Sequence, residues 1–139
     1  MSAPKTCFQS QDFYEQFPDP GFYPACIESA RFRRSARDNR MLQAVYALEN
    51  VEPAYRMVCD YFVLEGERAS ASGILLARRR LVELYHACGI FPKDGDEIAP
   101  AQLVGARLEV RVDHELWEGR LRLRVVGYRP LSPDDQIPF

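Results

Sequence analysis

Sixteen of the eighteen basic residues in this chain are arginines, and several of them alternate with aromatic or apolar residues. Arginine presents a planar guanidinium that binds phosphate oxygens and stacks on flat rings, which lysine does not. A protein that holds a single nucleic-acid strand needs cations along the phosphates and aromatic side chains on which bases stack. The pattern therefore indicates nucleic-acid binding, although an arginine-rich codon usage would give the same count.

The candidate DNA-binding residues come from the first, third and last predicted strands and from a hairpin. They are Arg31, Arg33, Arg34, Tyr55, Arg56, Tyr61, Trp117, Arg120, Arg122 and Arg124. Trp117 is predicted at the tip of a six-residue connection, 114–119, where there is little core for it to join. The alternative interpretation is a solvated surface on which these arginines pair with neighbouring acidic residues.

Residue types that support catalysis or metal binding are poorly placed. The two histidines, His86 and His114, fall in different predicted elements and have no evident acid–base partner. The four cysteines are far apart, without the close spacing of a zinc or redox motif. Nucleophile-elbow, zinc-protease and phosphate-loop motifs are missing from the sequence. We therefore expect no catalytic residues, no cofactor and no metal site, which predicts that the protein is not an enzyme.

Hydrophobic periodicity predicts five strands and one helix. Three strand-like stretches, 23–34, 41–48 and 55–64, are joined by short polar turns, which is typical of an antiparallel meander. Spacings of three and four then predict an amphipathic helix, whose apolar stripe is Ile74, Ala77, Leu81, Leu84, Tyr85 and Cys88. After Gly105 a period of two returns, and it predicts strands over 106–113 and 120–125.

The predicted order, three strands, a helix and two strands, is that of an oligonucleotide-binding (OB) barrel. We therefore expect a mainly β fold, a five-stranded antiparallel OB-fold barrel with one α-helix between strands 3 and 4. Residues 1–21 are expected to form an N-terminal arm, 22–130 the OB-fold domain, and 131–139 an acidic C-terminal tail.

Length and charge are consistent with one domain. The chain has 139 residues and a formal net charge of -2, which excludes a strongly basic histone-like binder. No stretch approaches 18 consecutive apolar residues, and the N-terminus has no signal-peptide pattern. The sequence thus predicts a soluble, cytoplasmic protein that does not enter a membrane.

The final residues, Pro133-Asp134-Asp135-Gln136-Ile137-Pro138-Phe139, resemble the C-terminal tip of bacterial single-stranded-DNA-binding proteins. In that family the tip docks on replication, recombination and repair proteins, with its phenylalanine in an apolar pocket and its carboxylate against a basic residue. The resemblance implies that partner proteins bind the residues of this tip, namely Asp134, Asp135, Ile137, Pro138 and Phe139.

Residues 21 to 130 are similar to a family of small phage-encoded proteins. The similar residues are Gly21-Phe22-Tyr23-Pro24-Ala25-Cys26-Ile27, Arg56, the segment from Leu81 to Ile90, Leu103-Val104-Gly105, and Val126-Gly127-Tyr128-Arg129-Pro130. That family is thought to consist of OB-fold single-stranded-DNA binders of phage replication and recombination. One departure from the bacterial proteins is that only residues 131–133 separate the domain from the tip.

The resemblance implies a phage protein that coats single-stranded DNA in the cytoplasm of a bacterial host and recruits replication or recombination proteins. A homo-oligomer is compatible with this interpretation. The alternative is an OB-fold adaptor that binds proteins without significant nucleic-acid binding, because OB barrels serve both uses. A continuous groove formed by the arginines and Trp117 would favour the first interpretation.

Overall fold

The structure, a computed structural model, describes residues 6–7 and 17–132. It contains five strands and one helix, with two short 3-10 turns, Pro53–Tyr55 and Pro100–Leu103. In chain order the elements are β1 (Gly21–Arg34), β2 (Arg40–Leu48), β3 (Met57–Glu65), α1 (Ala71–Ala87), β4 (Arg107–Trp117) and β5 (Arg120–Arg129). The predicted mainly β fold, with five strands and one helix between the third and fourth, is confirmed.

All five strands join one antiparallel sheet in the order β3-β2-β1-β4-β5. The prediction of a closed barrel is wrong, because no backbone ladder of the described residues joins the two edge strands, β3 and β5. Side chains connect these edges instead: the Tyr128 hydroxyl on β5 donates a hydrogen bond to the Asp60 carboxylate on β3.

The core lies on one face of the sheet, and α1 packs against it. Ile27, Leu42, Tyr46, Phe62 and Val110 are fully buried there. The helix contributes four buried residues, Leu81, Leu84, Tyr85 and Ala87. At its start the Ser70 hydroxyl accepts a hydrogen bond from the Gly73 amide at 3.1 Å, and after its end Gly89 has a φ of 77°.

A β-bulge in β1 decides which way the first arginines point. The pairing of β1 with β2 shifts between Ile27 and Ser29, so the alternation of inward and outward side chains changes phase there. Ile27 points into the core before the bulge, whereas Ala30 does so after it. Arg31 and Arg33 therefore lie on the outer face of the sheet, opposite the core.

The β4–β5 hairpin is tighter than predicted. Its turn consists of Glu118 and Gly119, whose φ angles of 51° and 76° are both positive, as in a two-residue turn that matches the strand twist. The predicted six-residue loop is wrong, because β4 continues through Trp117. Trp117 accordingly pairs with Arg120 at the end of the ladder rather than standing at a loop tip.

Candidate nucleic-acid interface

A cleft of about 760 Å³ separates the two edge strands. Residues 57–61 of β3 form one wall, residues 121–125 of β5 form the other, and Arg80 of α1 reaches into it. Four of the predicted DNA-binding residues line this cleft: Tyr55, Tyr61, Arg122 and Arg124. The fold thus brings together side chains that are more than sixty residues apart in the chain.

A row of polar side chains crosses the outer face of β1, β2 and β3 and ends at the cleft. Arg31, Gln43 and Tyr61 are direct partners across the three strands. Arg33 donates a hydrogen bond to Gln43 Oε1 at 2.8 Å, and Gln43 Nε2 donates to the Tyr61 hydroxyl at 3.2 Å. Because Gln43 is buried, it holds the exposed guanidinium and the exposed phenol in fixed positions.

The outer face of the β4–β5 hairpin carries the other predicted residues. Arg120, Arg122 and Arg124 alternate along β5 with the partly buried Leu121 and Leu123. The Arg122 guanidinium lies over the Trp117 ring, 4.6 Å from its centroid, and also donates to Glu115 Oε2 at 2.8 Å. Trp117 remains half-exposed, so its ring is accessible from solvent.

The two residues just before β3 are not part of that strand. Tyr55 and Arg56 were predicted on the third strand, but Tyr55 ends the 3-10 turn and Arg56 follows it. The Phe17 ring contacts Tyr55 edge-on at 4.9 Å and His114 of β4 at 5.0 Å, both between ring centroids. His114 Nε2 donates to the carbonyl of Pro18 at 2.6 Å. Phe17 and Pro18 thus connect Tyr55, just before the start of β3, to His114 on β4. We call these two residues the strap.

Arg34 lies apart from the cleft. It lines a second concavity of about 710 Å³ between the β1–β2 turn and the β3–α1 loop, together with Arg37, Arg40 and Arg68. Acidic neighbours already engage part of this charge, because Arg34 pairs with Asp38 at 3.2 Å and Arg40 with Glu65 at 3.6 Å. The structure therefore does not join Arg34 to the residues around the cleft.

Most of the other candidate arginines have no acidic partner within residues 6–7 and 17–132. Among the described residues, no carboxylate lies within ion-pair distance of Arg31, Arg33, Arg56, Arg120 or Arg124. Arg122 is the exception near the cleft, through its bond to Glu115. The expected alternative, a surface of mutually neutralised charges, therefore describes Arg34 and Arg122 but not the larger part of the set.

A polar network that the sequence did not reveal connects β3, β5 and α1 at the cleft. The Asp60 carboxylate accepts hydrogen bonds from Arg80 and from the Tyr128 hydroxyl, and the Tyr46 hydroxyl donates to that of Tyr128 at 3.2 Å. Burial raises the pKa of Asp60, an effect opposed by the bond from Tyr128 and by Arg80. Burial also raises the pKa values of Tyr46 and Tyr128 well above 10.0.

Two residues that are absent from the predicted site, Gln43 and Asp60, stand out in the sequence by their polarity. Gln43 is the only strongly polar residue between Met41 and Leu48, and Asp60 is an acidic residue inside an otherwise apolar strand. Arg80 belongs to a run of three arginines on α1, and it forms an ion pair with Asp60. A polar residue inside an apolar strand is informative because burying it without a partner is costly.

The predicted partner-binding residues, Asp134, Asp135, Ile137, Pro138 and Phe139, lie outside the described residues. Within 6–7 and 17–132, no three histidine, cysteine, aspartate or glutamate side chains are grouped so that they could hold a metal ion. The same residues include no helix with both the length and the apolar character needed to cross a lipid bilayer. No family model matches the sequence, and no curated protein is significantly similar to it.

Proposed function

We propose that the protein binds single-stranded DNA on the outer surface around the β3–β5 cleft, and that it serves phage replication or recombination. The strand order supports an OB-type fold, being that of an OB barrel opened between its third and fifth strands. OB folds bind oligonucleotides on the face of strands 2 and 3 and on the loops beside it. Arg31 and Arg33 lie beside that face on the neighbouring strand β1, and Arg120, Arg122 and Arg124 lie on the β4–β5 hairpin.

The continuity of the surface is the observation that carries the proposal. Arg33 is linked through Gln43 to Tyr61, which lines the cleft opposite Arg122 and Arg124. Arg33 and Arg124, neither of which has an acidic partner among the described residues, thus lie on the two sides of the exposed Tyr61 ring. Phosphates would bind the arginines and bases would stack on Tyr61 and Trp117, with no chemical step. The acidic tail, residues 134–139, would recruit partner proteins, as its resemblance to bacterial tips implies.

The test is fluorescence anisotropy of labelled oligo-dT with the full-length protein, at low and moderate salt. Arg31→Glu combined with Arg124→Glu replaces two cations on opposite sides of the cleft. This double variant is expected to lose at least tenfold in affinity, because each reversal adds repulsion to a lost phosphate contact. Arg79→Glu is the control, a single charge reversal at an exposed position on α1 away from the sheet, and it should bind as the parent does.

Two comparisons decide between single-stranded-DNA binding and the adaptor function. One is competition with unlabelled nucleic acids, and the other sets the double variant against the Arg79 variant. Unlabelled single strands should displace the probe, and duplex DNA should not. Unlabelled RNA of the same length reports whether the 2′-hydroxyl is tolerated. If the parent fails to bind oligo-dT at low salt, or if the Arg79 variant loses as much as the double variant, the proposal is wrong. The adaptor function then becomes the better interpretation.

A further inference from the structure

The helix α1 has a second apolar stripe that no described residue covers. Its buried residues face the sheet, but Leu75, Leu76 and Val82 are 50%, 60% and 43% exposed. Phe91, just beyond the helix, is 69% exposed and its ring lies 5.1 Å from that of His86. Contiguous exposed apolar side chains on a small protein mark an interaction site more often than isolated ones do. We call the surface of Leu75, Leu76, Arg79, Val82, His86 and Phe91 the outer helix stripe.

The charge on the outer helix stripe favours an acidic and apolar occupant. Arg79 stands between Leu75 and Val82 on the same face and has no carboxylate within ion-pair distance among the described residues. Glu83 lies one helical turn beyond Arg79, but its carboxylate is not within ion-pair distance of the Arg79 guanidinium. A ligand with carboxylates near the middle and apolar side chains beyond them would match this surface.

The chain itself carries such a segment, and it follows the last described residues closely. Leu131 is buried, and it lines a cavity of about 530 Å³ together with His86, Ala87 and Phe91. The C-terminal end of the described chain is therefore anchored at the C-terminal end of α1. Residues 133–139 contain two aspartates followed by Ile137 and Phe139.

The segment is long enough to cover the stripe. From His86 to Leu75 the helix extends about 16 Å, at 1.5 Å per residue. An extended chain from residue 131 to residue 139 reaches about 26 Å. Asp134 and Asp135 come within reach of Arg79, and the apolar residues that follow them come within reach of Leu75 and Leu76.

We propose that residues 133–139 dock on the outer helix stripe of the same molecule. Asp134 and Asp135 approach Arg79, and Ile137 and Phe139 cover the exposed leucines. This docking is independent of nucleic-acid binding, since the stripe and the cleft are different surfaces. A partner that binds the tail must then compete with α1 for it.

Photo-crosslinking in the full-length protein tests the proposal. The photoreactive residue p-benzoylphenylalanine replaces the exposed Val82, circular dichroism checks the fold, and mass spectrometry locates the crosslinks. We expect crosslinks to residues 133–139. A mixture of ¹⁴N and ¹⁵N protein should give crosslinked peptides of a single isotope, as required for docking within one molecule.

Charge variants and a second crosslinker position complete the experiment. Arg79→Glu should lower the crosslink yield by about twofold to fivefold, as expected for an exposed ion pair. Arg68→Glu, an equal charge change at an exposed site in the second concavity, should leave it unchanged. The proposal is overturned if the tail crosslinks instead to the same probe at position 61 in the cleft, or if mixed-isotope peptides show that a second copy covers α1. Absence of any tail crosslink from position 82 overturns it too.

Discussion

At the residue scale, Trp117 is accessible from solvent, as predicted, although the local backbone structure predicted for it is wrong. The sequence predicts Trp117 in a six-residue loop, whereas the tight Glu118-Gly119 turn puts it at the end of a strand. Its ring nevertheless has solvent on one side and the Arg122 guanidinium 4.6 Å from its centroid. A guanidinium on a ring stabilises both side chains in place, so the aromatic face is already oriented for a base.

Trp117→Ala is therefore expected to weaken binding to oligo-dT by about 1–3 kcal/mol, which is about 5-fold to 150-fold in Kd. Trp117→Phe should retain part of the affinity, because a smaller ring still stacks. Phe91→Ala removes an even more exposed ring, beyond the end of α1, and should leave the Kd unchanged. Anisotropy titrations of the three variants decide this, and equal affinity of Trp117→Ala and the parent would remove the tryptophan from the interface.

Elements were easier to predict than the faces they present. Periodicity identified all five strands and the helix, because one side of each packs on a common core. It could not reveal the bulge between Ile27 and Ser29, which reverses the facing of everything after it in β1. Arg31 and Arg33 reach the outer surface only for that reason. Whether β3 and β5 pair to close the barrel could not be predicted either. Such pairing depends on how closely the two backbones approach, and the hydrophobic pattern of the sequence does not report this.

Side-chain hydrogen bonds attach β5 to β3, so the removal of a single hydroxyl group tests this attachment. Tyr128→Phe removes the bonds that Tyr128 makes to Asp60 and Tyr46. We expect a loss of about 1–3 kcal/mol in the free energy of unfolding, measured by urea denaturation. Tyr61→Phe is the control, because Tyr61 is 48% exposed and its hydroxyl is bonded only to Gln43 among the described residues.

The loss of stability caused by Tyr128→Phe should depend on pH. The Tyr128 hydroxyl lowers the pKa of Asp60, so its removal raises further a pKa that burial already places above 3.8. A carboxyl group whose pKa is higher in the folded than in the unfolded protein lowers the free energy of unfolding. This loss develops as the pH rises from the unfolded-state pKa through the folded-state pKa. The destabilisation of Tyr128→Phe should therefore be larger at about pH 7 than at about pH 4. An equal loss at both pH values would contradict a bond to the ionised carboxylate.

At the scale of the whole molecule, affinity and its salt dependence should follow local charge rather than the net charge of -2. Five arginines without described acidic partners would release counterions on binding single strands, which predicts a slope of about -3.5 for log K against log salt. Arg124→Ala should reduce that slope by about 0.7, whereas Arg34→Ala should change it less because Asp38 already pairs with Arg34. Titrations at four salt concentrations measure both slopes, and identical changes would show that Arg34 belongs to the interface.

The strap makes the two ends of the cleft unequal. Phe17 reaches from Tyr55 to His114 where β3 begins, and the Pro18 carbonyl accepts a hydrogen bond from His114. A strand that follows the cleft toward this end must stop there or displace the Phe17 ring. In the proposed complex the two polarities of a DNA strand are therefore not equivalent, and a free terminus would enter the cleft without displacing the Phe17 ring, as a closed circle would have to.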